Sequence, residues 1–95
     1  MSHNQGILSA ANLIKLHEGF SGVVYDCPVG KKTIGFGRNL EDVGVTENEA
    51  EFLLFNDINE CEKDLNNFRF FKQLNHERKS AMIDMRYNLG PSRFR

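Results

Sequence analysis

A helical run that halts at Gly19 and hands over at once to a hairpin constrains this chain more than any other feature. Ile7–His17 places Ile7, Ala10, Ala11, Ile14 and either Leu13 or Leu16 near a helical period, which predicts an amphipathic helix capped near Asn4 or Ser9. Glu18 closes it and Gly19 stops it. Two strand-like pieces follow, Gly22–Asp26 and Lys31–Gly37, rich in β-branched and aromatic residues and joined by Cys27-Pro28-Val29-Gly30. A helix is thus followed at once by a hairpin.

The downstream half is helical. Thr46-Glu47-Asn48-Glu49 is a capping box, with Thr46 as cap and Glu49 reaching back. The helix it opens is expected to run to about Leu65. Ala50, Leu54, Ile58, Cys61 and Leu65 fall on one face, and Glu47, Glu51, Asp57 and Glu62 on a solvated one. Asn39–Val45 reads as a loop with a short third strand. Asn66–Asn75 reads as a connector that buries Phe68, Phe70, Phe71 and Leu74. Asn75 caps a last helix with Ala81, Met82, Met85 and Leu89 inward, and Gly90-Pro91 ends it.

Composition removes several function classes. The 95 residues carry a net charge of -1, so no basic field for nucleic acid and no polybasic membrane patch is present. No apolar run approaches the roughly 20 residues of a membrane span. The first residues lack the charged and apolar regions of a secretory signal, which predicts cytoplasmic synthesis. His3, His17 and His76 share no metal-ligand spacing with each other or with the two cysteines, so neither a metal nor another cofactor is expected. Cys27 and Cys61 do not make a disulfide framework and are expected free. Cys61 lies on an apolar stripe, whereas Cys27 lies in a turn. Gly35-Phe36-Gly37-Arg38 makes a poor phosphate cradle, since no helix N-terminus follows it directly and the third glycine is missing.

Glu18 breaks a local rule. The last helical turn carries partial negative charge and normally hosts cations. A carboxylate there is opposed by the dipole, which favours its protonated form. On that ground alone the residue reads first as a solvated surface glutamate. The spacing adds more: eight residues separate Glu18 from Cys27, and five separate Cys27 from Thr33 in T-I-G-F-G.

Glu-Gly at a helix end, then Asp or Cys, then the Thr of T-I-G-x-G at these intervals resembles the phage-type lysozymes, the endolysin family of glycoside hydrolases. The resemblance continues through Thr46–Asp57 and Arg78–Gly90, and so covers most of the chain from about Leu13. Arg38 stands where the family more often has His. The resemblance implies a lysozyme-like α+β domain spanning residues 1–95, with an N-terminal helix, a small β lobe and further helices. It also implies that the C-terminal helical lobe is incomplete. The apolar stripes of the first and last helices would then lack partners, and self-association or a complementing C-terminal fragment would cover them.

The implied activity is hydrolysis of the β-1,4 bond between N-acetylmuramic acid and N-acetylglucosamine of peptidoglycan, in host cell lysis. The enzyme would act on the wall after release from the cytoplasm. The implied catalytic set is Glu18 as proton donor, Cys27 as base, charge stabiliser or nucleophile, and Thr33 as holder of water. Asn88, Gly35 and Phe36 form the implied substrate-binding set, although Asn88 suits a helix end equally and Phe36 suits hairpin packing. The alternative is a non-catalytic, truncated module that binds wall or a protein partner.

Overall fold

The computed structural model describes residues 3–90; Pro91, expected as a stop signal, and Arg95 lie outside them. The chain is α+β and divides after Val45 into two compact units.

The first unit holds α1 (His3–Glu18), β1 (Ser21–Asp26), β2 (Lys32–Gly35) and β3 (Arg38–Asn39). α1 begins a turn earlier than its periodicity suggests, so Asn4 and Ser9 lie inside it rather than before it. No proline interrupts His3–Ile7, and the helix extends through Gly6. Its end is where the sequence puts it. Gly19 takes φ +69°, and its N–H donates to the Lys15 carbonyl at 2.9 Å. A left-handed residue just past the helix satisfies an orphan carbonyl, and glycine takes that conformation without a Cβ penalty. The apolar stripe of α1 is open, with Ile7 and Leu13 each 56 % exposed.

The three strands form an antiparallel sheet in the order β1-β2-β3. The Cys27–Gly30 turn closes β1 on β2, with the Gly30 N–H donating to the Cys27 carbonyl at 2.8 Å. The second strand is shorter than Lys31–Gly37 because Phe36 and Gly37 turn the chain into β3. β1 also contains an irregularity that period-2 reading cannot find. Ser21 pairs with Gly35 while Tyr25 pairs with Thr33, so two residues of β1 are extra. The Ser21 hydroxyl donates to the Val23 carbonyl at 2.7 Å inside this bulge. The slack lets the chain leaving α1 meet the far end of β2, next to the Phe36–Gly37 turn.

The second unit holds α2 (Glu47–Leu65), α3 (Arg69–Lys72) and α4 (His76–Leu89). Both halves of the capping box form: Glu49 N–H donates to Thr46 Oγ1 at 3.1 Å, and Thr46 N–H donates to Glu49 Oε1 at 2.8 Å. Asn75 caps α4 through the Arg78 N–H at 2.9 Å. α2 packs on α4 around Cys61, Leu65 and Phe71, all buried.

Three expectations need correction here. Ala50 is exposed, so the inner face of α2 narrows to its C-terminal half. Of the connector's aromatics only Phe71 is buried; Phe68 and Phe70 meet at a tilt, 5.8 Å between centroids, and are exposed. Ala81, Met85 and Leu89 of α4 are exposed, and the buried residue of that helix is Arg86. Its Nε and Nη2 both donate to Asp64 Oδ2, at 2.9 and 2.7 Å. A charged pair in the packed face rotates α4 away from its most apolar stripe, because an arginine that enters the interior must bring its carboxylate with it. Among the described residues, no helix is long and apolar enough to cross a membrane.

Candidate active site

The first unit positions Glu18, Cys27 and Thr33. Glu18 is the last residue of α1 and is exposed to solvent. Its side chain lies over Gly37. A Cβ built on Gly37 would stand 2.9 Å from Glu18 Oε2 and 3.0 Å from Cδ. The neighbouring aromatic ties the same two segments together. The Phe36 ring meets Phe20 at 5.5 Å between centroids, and Lys15 Nζ sits 5.5 Å from the Phe36 centroid. The end of α1 is thus fastened to the turn between β2 and β3. Aromatic and cation–π contacts of this kind contribute on the order of 1 kcal/mol each.

Cys27 and Thr33 meet at one carbonyl. The Cys27 N–H donates to the Lys31 carbonyl at 2.9 Å, and Thr33 Oγ1 donates to the same oxygen at 2.9 Å. Thr33 is buried, at 3 % exposure, while Cys27 is half-buried and free. The thiol is held below its ordinary value. The main cause is a hydrogen bond from the Lys31 backbone, followed by the Val29 backbone; partial desolvation opposes them, and Thr33 and the Gly30 backbone add to the lowering. The turn wraps its amides around the sulfur, a geometry that favours thiolate.

Thr33 has a single proton. Given to the Lys31 carbonyl, it leaves the hydroxyl oxygen facing its surroundings as an acceptor. Turned to Cys27, it stabilises the thiolate. The hydroxyl therefore answers to the charge on the sulfur.

Gly35 and Gly37 do different work. Both have positive φ, +71° and +85°. The space beside Gly35 is open, so its requirement is backbone conformation alone, whereas the space beside Gly37 is taken by Glu18. Arg38 donates from Nη1 to the Gly44 carbonyl at 2.9 Å and braces the loop after β3.

Asn88 lies in the second unit, on the last turn of α4. It lines a cleft of about 440 Å³ with Leu54, Ile58, Ser80, Asp84 and Tyr87 among its walls. Its Nδ2 donates to the Asp84 carbonyl at 2.8 Å and to Asp84 Oδ1 at 2.9 Å. Both amide protons are thereby spent on its own helix, and what remains for a ligand is its side-chain oxygen.

Sequence reasoning did not single out Lys31, whose carbonyl joins Cys27 to Thr33, nor the contact of Gly37 with Glu18. The signal for Gly37 was present as the second glycine of T-I-G-F-G, but nothing local says which side chain arrives there. Among the described residues no group of three or more His, Cys, Asp and Glu side chains is arranged to hold a metal ion.

Compared with known proteins, the chain matches the family model described as phage lysozyme over residues 15–95. No curated protein matches it.

Proposed function

The chain belongs to the phage lysozyme family, and from that premise we propose that it is a glycosidase cleaving the β-1,4 bond between N-acetylmuramic acid and N-acetylglucosamine of peptidoglycan. The observation that carries the reading is the grouping within one compact unit of an acid at a helix end, a thiol surrounded by amides, and a buried hydroxyl that donates to the same Lys31 carbonyl as the Cys27 backbone N–H.

Glycoside hydrolysis needs a proton at the leaving oxygen and an electron-rich group at the opposite face of the sugar. Glu18 delivers the proton from the end of α1, where its side chain lies against Gly37. Cys27 acts as thiolate. Its lowered value places more of it in that form at neutral pH than a free thiol, which is only a few per cent ionised there. Thr33 accepts a hydrogen bond from the attacking water, and Cys27 takes the water's other proton as the oxygen bonds to the anomeric carbon. The C–O bond to the leaving sugar breaks as Glu18 protonates it. Gly35 and Phe36, in the same unit as the acid, supply substrate contacts. In the cell the enzyme reaches the wall after release from the cytoplasm and lyses the host.

The test is turbidity loss of chloroform-treated Gram-negative cells with the chain and with Glu18→Gln. Expected is lysis by the first and none by the second, at equal folding and expression. Equal lysis by both would remove Glu18 as the acid. Pelleting with purified peptidoglycan and no sugar release by either would favour a binding module.

A further inference from the structure

We infer that Gly37 is a positioning residue for the acid: the missing side chain at this one turn sets where the Glu18 carboxyl lies. The inference rests on the glycosidase reading for its kinetic consequence, but not for its geometry. The turn after β2 brings the Gly37 backbone against the tip of Glu18. A Cβ there would meet three atoms of that one side chain, Oε2 at 2.9 Å, Cδ at 3.0 Å and Cγ at 3.1 Å. Real Cβ contacts essentially never fall below 3.0 Å, so one of the two groups must move.

The helix end cannot move freely. Gly19 fixes its last turn, and Phe36 is held between Phe20 and Lys15. The side chain of Glu18 therefore gives way, leaving its carboxyl on a different rotamer. The floor that Gly37 offers is bare backbone, so the carboxyl rests on a surface that does not swing. Misplacement of a reacting group by about 1 Å can cost on the order of 10²-fold in rate.

Positive φ at Gly37 is a competing reason for glycine, and Gly44 separates the two. It lies in the same unit at φ +65°, and a Cβ there meets nothing closer than the Leu40 carbonyl oxygen at 3.9 Å. Gly44→Ala carries backbone strain without touching Glu18; Gly37→Ala carries both.

The experiment uses the full chain in two readouts. The first is NMR of the Glu18 side chain. Expected are NOEs between Glu18 Hγ and Gly37 Hα in the unmodified chain, and three-bond couplings to Cγ that change in Gly37→Ala but not in Gly44→Ala. Absence of those NOEs overturns the inference even if the variant fails to fold, and unchanged couplings in a folded Gly37→Ala overturn it too. The second readout is sugar release at varied substrate concentration. Expected is a fall in kcat of at least tenfold for Gly37→Ala with KM within twofold, against at most a twofold change in kcat for Gly44→Ala. Equal losses in the two variants, or a change confined to KM, would assign Gly37 to the backbone alone. If the unmodified chain and Glu18→Gln release sugar equally, or not at all, the glycosidase reading fails, and the NMR arm still decides where Gly37 holds the carboxyl.

Discussion

Replacing Arg86 with alanine would take from Asp64 the guanidinium it meets inside the second unit. The side chains are only 8 % and 15 % exposed, and two N–H groups converge on a single carboxylate oxygen at 2.7 and 2.9 Å. Removing one partner of a buried pair costs about 3–5 kcal/mol, because the remaining charge stays desolvated. Asp64 keeps a little access to water, which sets the loss near 3 kcal/mol on that scale. That is a large share of the roughly 5–15 kcal/mol that holds a small domain together. The pair as a whole need not be worth this much, since hydrophobic replacements of a buried pair are often neutral. Arg86→Met with Asp64→Leu should therefore recover most of the stability lost by Arg86→Ala. Urea denaturation followed by circular dichroism would measure all of the variants, together with Asp64→Ala and the double alanine variant to close the cycle. A coupling energy below about 0.5 kcal/mol would refute the reasoning, since that is the scatter of independent sites.

Two further predictions concern the first unit. Iodoacetamide should alkylate Cys27 well before Cys61, which is 2 % exposed, with a pH midpoint below the ordinary thiol range; mass spectrometry of tryptic peptides reads both. The sign carries into stability: because the folded thiol titrates lower than the unfolded one, the native state gains as pH rises from the folded midpoint to the ordinary thiol range, and loses that gain as pH falls back. Cys27→Asp should move the acidic limb of the lytic pH profile down by at least one unit, since a carboxylate is ionised where a thiol is not; an unmoved limb would mean that Cys27 does not set it.

The helices were legible because their ends carry local chemistry. Thr46 with Glu49, Asn75, and Gly19 past Glu18 each fix a boundary through hydrogen bonds only a few residues long. The hairpin turn was legible for the same reason. The bulge in β1 was not, because Ser21–Asp26 reads as an ordinary strand and its pairing with Gly35 depends on residues fourteen positions away. The inner face of α4 was misread because Arg86 looks like a surface residue until Asp64, twenty-two positions earlier, comes to meet it. At the candidate site the spacing marked Glu18, Cys27 and Thr33. The Lys31 carbonyl and the bare surface of Gly37 are backbone features, and a list of side chains does not contain them.

The identity of the new chain end in digested peptidoglycan bears most directly on the proton donor. Purified sacculi would be incubated with the chain or with Glu18→Gln, reduced with borodeuteride, hydrolysed and analysed for labelled amino-sugar alcohols. Expected is label in the muramic acid product with the unmodified chain and none above background with the variant. Label in glucosaminitol, or equal label from both proteins, would contradict acid catalysis by Glu18 at the muramyl bond.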